Sequence, residues 1–143
     1  MADRPTTEMR FALSTNWNSM RHESGEAIVD EALSLGFQAI EVGYRLNEMQ
    51  VPGIEQRVAA GAIVVDSVHA FAPAPLYASS GHPELYLAAS LNNDERAMAV
   101  ILAGKSLQLA QQLGAPAVVL HAGNVKPVRW RSLFWPAPAS GFL

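Results

Sequence analysis

Hydrophobic positions gather in four short blocks, residues 11–14, 38–43, 62–69 and 117–120, each of strand length and bounded by glycine, proline or polar residues. Between the blocks the apolar spacing becomes helical. In 24–35, Ile28, Ala32 and Leu35 share one face, Glu26, Asp30 and Glu31 are polar, and Gly36 is placed to end the helix. A shorter helix is predicted from Pro52, with Ile54 and Val58 inward and Gly61 as its stop. The longest, 93–113, has Asn92 as cap and Glu95 in the position to reach back to it, then Met98, Ile101, Leu102, Leu109 and Leu113 as a packing stripe. Gly104 weakens the middle of that helix and is expected to mark a close packing point, while Gly114 and Pro116 end it.

Leu13 and Ile40 are 27 residues apart, and Ile40 and Val65 are 25 apart. Repeated strand, helix, strand units have such spacing, and a crossover helix makes its two strands parallel. The pattern predicts an α/β fold of about four parallel strands with crossover helices. Residues 70–91 form a long connection rich in Pro and Gly, with Tyr77, His82 and Tyr86. Connections this long in a compact domain are usually lids or binding loops. A short helix is expected within it at 85–90.

A length of 143 residues suits one domain, and the absence of cysteine excludes disulfides and thiolate chemistry. The net charge of −3 is unevenly spread: residues 1–95 carry thirteen acids and five basic residues, residues 96–143 five basic residues and no acid. Those five are scattered without a Lys/Arg cluster, so nucleic acid is not an expected partner. The first ten residues contain Asp3 and Glu8 and have no apolar core, unlike a signal peptide, and no uncharged apolar run reaches membrane-spanning length. A soluble cytoplasmic protein is expected. Residues 1–9 read as a disordered lead and 10–125 as the domain. Residues 126–143, with Trp130, Phe134 and Trp135, form an atypical basic, aromatic and proline-containing tail. Three readings fit it: a loosely packed end, a truncated or frame-shifted end, and a recognition tail.

Candidate chemistry concentrates where strands give way to loops. His69 and His121 end the third and fourth strands at equivalent places, on the side where parallel α/β sheets build sites. Imidazoles suit a divalent metal, yet two ligands are fewer than the three usual for catalytic zinc, and hydrogen bonding near strand ends explains the pair as well. Glu41, a lone carboxylate in an apolar strand, is the third candidate; an ion pair would also account for it. Asn16 and Trp17 end the first strand at the same rim, where they could contact a polyol, with Trp17 stacking on its apolar face. His82 reaches the site only if its loop folds over. Gly123 and Asn124 could offer backbone donors to an anion. Asp66, three residues before His69, falls on the opposite side of an ideal strand and reads as structural. Neither a GxGxxG nor a Walker A sequence is present.

The segments FALSTNW, GEAIVDEALSLGFQAIEVG, VVDSVHAFAP and QLAQQLGAPAVVLHAGN together resemble the first half of the xylose-isomerase-like TIM barrels, the superfamily of sugar-phosphate isomerases/epimerases and of endonuclease IV-type abasic-site nucleases. The likeness covers about residues 10–125. It implies the N-terminal half of a (β/α)8 barrel, apparently truncated, with a divalent metal (Mn, Mg, Co or Zn) at the C-terminal face of the full-length proteins. In the nuclease branch, histidines placed like His69 and His121 bind zinc. In the isomerase/epimerase branch such histidines and a glutamate like Glu41 line the pocket of a ketose or keto-polyol, while the main metal ligands and both catalytic acids come from strands five to eight. The resemblance thus implies a chain that is inactive alone, or one that a second copy or a partner completes. A non-catalytic vestigial half-barrel or interaction module, and a nuclease fragment, are the alternatives.

Overall fold

The computed structural model describes residues 9–78 and 81–123. The order is β1 (Ala12–Ser14), two 3-10 turns (Thr15–Trp17 and Ser19–Arg21), α1 (Gly25–Ser34), β2 (Ala39–Val42), α2 (Val51–Ala59), β3 (Val64–His69), a 3-10 turn (Leu76–Ala78), α3 (Asn93–Leu113) and β4 (Val118–Val119). All three strand pairings are parallel and the sheet order is β1-β2-β3-β4. An unbroken order without a switch point is the winding of a β/α barrel rather than of a doubly wound sheet. The described residues form a partial barrel-like α/β topology with a four-stranded sheet.

The helices follow their local chemistry. Ser24 caps α1, its Oγ accepting from the Ala27 N–H at 3.3 Å. Pro52 sits in the first turn of α2, where it costs no helical hydrogen bond. Gly114, at φ 68°, closes α3 in the left-handed conformation. Asn92 caps α3 as expected, accepting from Asp94 and Glu95 N–H groups. The reciprocal half of the predicted capping box is absent: the Glu95 carboxylate accepts instead from the Ser90 hydroxyl and the Leu87 N–H, tying the preceding loop to the helix.

One face of the sheet carries the core. Ile40, Val42, Val65 and Val68 meet Ile28, Val29 and Ala32 of α1, Ile54 of α2 and Leu109, Ala110 and Leu113 of α3. Each fully buried branched aliphatic side chain contributes about 1.5–3 kcal/mol relative to exposure. A smaller cluster of Ala70, Phe71, Ala99 and Leu102, with Leu85, Tyr86 and Ala88 against it, packs the 70–91 connection on the first half of α3. The connection is therefore packed, with turns where a helix over 85–90 was expected. Ser106, fully buried, donates to the Ala72 carbonyl at 2.7 Å and fixes its start to α3.

Two expectations for α3 need correction. Its inward face is Ala99, Leu102, Ser106, Leu109, Ala110 and Leu113, whereas Ile101 points outward with Val100 and Leu107. Small inward residues let the helix lie close to the sheet, which an apolar count over a helix greasy on several faces does not reveal. Nor is Gly104 a packing point: a Cβ there would meet nothing within 4 Å. Close packing occurs instead between α1 and α2, where a Cβ on Gly25 would overlap the Gln50 carbonyl oxygen and stand 2.6 Å from the Ile54 nitrogen. The expected lead and tail lie almost wholly outside the described residues, only Met9 of the lead being described. Among the described residues no helix is long and apolar enough to cross a membrane.

These contacts set opposite outcomes for two similar substitutions. Gly104→Ala should stabilise the chain by about 0.8–1 kcal/mol through helix propensity alone. Gly25→Ala should destabilise it by about 1–3 kcal/mol by forcing α1 and α2 apart. Urea midpoints of the two variants test this; equal shifts of one sign would refute the packing described.

Candidate functional site

Alternation along the strands assigns the face opposite the core. Glu41 lies between the buried Ile40 and Val42 and so projects from the other side. In register with it stand Ser14 on β1 and Ser67 on β3. Each carboxylate oxygen receives one hydroxyl: Ser14 Oγ donates to Oε1 at 2.8 Å and Ser67 Oγ to Oε2 at 3.2 Å. A strand carboxylate is tolerated here because its lone pairs are met across three strands.

The register of β2 against β3 shifts between Ile40 and Glu41, so that Val65 pairs with Ile40 and Ser67 with Glu41, leaving Asp66 as the extra residue. Asp66 is bound by Arg10, the structural role expected of it. The skipped residue also brings Ser67 and His69 onto the Glu41 side.

His69 ends β3 and pairs with Val119 of β4; His121 follows two residues later, on the same face. The histidines converge. Their Nε2 atoms face each other at 3.3 Å, with ring centroids 5.1 Å apart. Behind each ring is a carboxylate: Glu41 Oε1 lies 3.8 Å from His69 Nδ1, and Glu84 Oε1 lies 3.9 Å from His121 Nδ1. Tyr44 covers His69 edge-on at 5.1 Å. The site is thus a row, carboxylate, imidazole, imidazole, carboxylate, at the C-terminal ends of β3 and β4. Burial pushes the His69 imidazole below its ordinary value; the Glu41 charge opposes this and His121 adds to the fall.

The long connection folds over this end. Gly81, at φ 58°, lies against the Tyr44 carbonyl, where any Cβ would overlap. Farther on, the Ala89 N–H donates to the Ala122 carbonyl at 2.9 Å and Leu87 packs on Gly123. The loop brings Glu84 to the pair; His82, the candidate from sequence, turns back to accept from the Glu84 N–H at 3.0 Å. Gly123 is covered by the loop, and Asn124 lies outside the described residues.

Asn16 and Trp17 do their work on the β1 side. Asn16 Oδ1 accepts from the Arg45 N–H at 3.0 Å, with its carboxamide wedged against Gly43, so it joins the ends of β1 and β2. Trp17 is 51% exposed, and the Arg21 guanidinium lies 4.0 Å from its ring centroid. Arg21 is in turn held by both oxygens of Glu31, at 2.9 and 3.0 Å.

The sequence placed Glu41, His69 and His121 together, and the structure brings those three to one place. Ser67 was legible as well, two residues before His69 on the same face. Glu84 and Tyr44 carry no periodic signal, and only the course of their loops puts them here.

As a test of the fit to a divalent cation, two tetrahedral ligands at zinc-like bond lengths of about 2.0–2.1 Å stand about 3.3–3.4 Å apart. The Nε2 separation of 3.3 Å matches that spacing, and carboxylates behind the far nitrogens are the usual outer support of metal-bound histidine. Among the described residues no group of three or more His, Asp or Glu side chains is placed to hold a metal. Among the described residues, then, two ring nitrogens have the spacing that ligands of such an ion would have.

A pH prediction follows from Glu31. Hydrogen bonds from His22 and Asn18, then the Arg21 guanidinium, lower its carboxyl from 4.5 to about 2. A folded-state value below the unfolded one gives stability fully present above about 4.5 and lost as pH falls towards 2. Urea midpoints of the wild type and Glu31→Gln should therefore converge across that window. A gap independent of pH would show Glu31 to be uncoupled from folding.

Set against known proteins, the chain matches no family model, no curated protein and no solved structure.

Proposed function

We propose that this chain is the cation-binding and substrate-orienting half of a sugar-phosphate isomerase/epimerase-type barrel, acting on a ketose or keto-polyol once completed by further strands. The observation that carries the reading is the apposition of the two Nε2 atoms at 3.3 Å with a carboxylate behind each ring. With a proton on each Nδ1, towards its carboxylate, both Nε2 lone pairs would point at one another. That arrangement calls for a positive charge between them.

The separation also selects among chemistries. Two bases working on opposite faces of one carbon must each lie about 2.6–3.2 Å from that carbon, hence roughly 5–6 Å apart. At 3.3 Å the imidazoles are too close for a carbon between them and suit a small cation. Nitrogen ligands favour Zn or Co over Mg, with Mn between. When bound, the ion polarises a substrate carbonyl and acidifies the adjacent C–H. The chain's own residues then have plain tasks: His69 and His121 would hold the ion, Glu41 would orient His69, and Ser14 and Ser67 keep Glu41 in place. Trp17 and Asn16 stand on the β1 side of the rim, where a polyol could rest. The carboxylates that would move the proton belong to the further strands that complete the barrel.

A sugar suits the described surface better than DNA. Arg10, Arg21, Arg57 and Lys105 are engaged by Asp66, Glu31, Asp30 and Glu48, so they are poorly placed to meet a phosphate backbone. A second reading, a non-catalytic interaction module, draws on the apolar flanks: Val100, Ile101 and Leu107 are exposed on α3, and Met9, Phe11, Leu35 and Phe37 line a groove of about 510 Å³ beside the start of β1. Cation binding separates the two readings.

Titration of the full chain with Co(II), followed by visible absorption, should show one saturable ion per chain. His69→Ala and His121→Ala should each weaken it by more than about tenfold, as expected for loss of a coordinating nitrogen. His22→Gln, at a histidine that sits against Glu31 of α1, should leave it unchanged. Absence of saturable binding in the wild type would overturn the proposal and leave the interaction module.

A further inference from the structure

We propose that Glu84, delivered by the connection between β3 and α3, is a positioning residue that sets whether the histidine pair is open to a cation or closed on itself. The inference deepens the cation reading and rests on it for its ligand, but the behaviour of His121 tests it separately.

A neutral imidazole carries one proton on either nitrogen, and the partner of one nitrogen decides the state of the other. For His69 the partner is Glu41, a strand residue whose oxygens are fixed by Ser14 and Ser67. A proton on Nδ1, towards that carboxylate, makes its Nε2 an acceptor. His121 stands outside the last described strand, and Glu84 is the carboxylate against its Nδ1. Without a carboxylate at position 84, His121 could move its proton to Nε2 and donate it to His69 Nε2 across 3.3 Å. The pair would then satisfy itself as a hydrogen bond and exclude a cation. With the carboxylate in place, the proton is drawn to Nδ1 and both Nε2 atoms become available.

The loop is built to hold Glu84 there. Its N–H is taken by His82 Nδ1, Leu87 and Ser90 are fastened to Glu95 in the first turn of α3, and Ala89 is bonded to Ala122 next to His121. The loop that carries Glu84 is thus tied both to α3 and to the end of β4 beside His121, while Glu41 is held by its neighbours within the sheet. The His121 side chain remains 42% exposed against 15% for His69, so it is the member of the pair that an outer partner can still direct.

The test uses the full chain as wild type, Glu84→Gln and Glu84→Asp. Histidine 15N shifts, recorded without metal above the imidazole titration range, report the tautomer of His121; Co(II) titration reports affinity. In Glu84→Gln, His121 should shift towards the Nε2–H form and Co(II) affinity should fall by about 10–100-fold, the usual effect of losing an outer-shell partner. Glu84→Asp should recover part of both. A His121 tautomer identical in wild type and Glu84→Gln would overturn the inference even if Co(II) binds, and equal Co(II) affinities in those two proteins would also overturn it. If the wild type binds no Co(II), the function proposed above fails, and the tautomer measurement still decides the role of Glu84.

Discussion

The site depends on a very short piece of parallel ladder. Val68 donates to the Ala117 carbonyl at 3.0 Å and Ala70 to Val119 at 2.9 Å, and these two bonds set β4 beside β3. They fix the register that puts His69 opposite Val119 and leaves His121 one step farther on the same face. In strands a slip of one residue turns every side chain to the other face, so such a slip would send His121 to the core side and dissolve the pair. Two residues of strand are a small base for that geometry. The rest is supplied by packing, with Val118 partly buried against the core and the loop pinned to Ala122 and Gly123.

The open face of the sheet differs in kind from its packed one. On the helix side, branched aliphatics fill the space. On the other, Ser14, Glu41 and Ser67 form a hydrogen-bonded row that ends in the two histidines. A row of polar groups satisfied by one another is rigid, because moving any member leaves another unpaired. The carboxylate of Glu41 is thereby presented to His69 in one orientation, and among the described residues no lysine or arginine is paired with it.

Much of this was legible in the residues. The four strands, three helices and their parallel winding follow from spacing, and the meeting of Glu41, His69 and His121 follows from where strands stop. Other features escaped for definite reasons. The structural role of Asp66 was legible, but the irregular register beside Ile40 and Glu41 is a property of two strands together, invisible in either alone. The inward face of α3 was misjudged at Ile101 because Val100, Ile101, Leu102, Leu107 and Leu109 leave no single apolar stripe, and the helix settles on the side where Ala99, Ser106 and Ala110 permit close approach. Glu84 lay in a segment without period, and its place depends on Glu95 gripping the loop instead of closing a capping box.

The central claim is that the His69 and His121 rings face each other across neighbouring parallel strands. Nuclear Overhauser spectroscopy on the full chain carrying isotope-labelled histidine measures this directly. The account expects a ring-to-ring cross-peak between His69 and His121, together with one between His69 and Tyr44. Ring contacts from the two histidines to separate parts of the chain, with no peak between them, would contradict it.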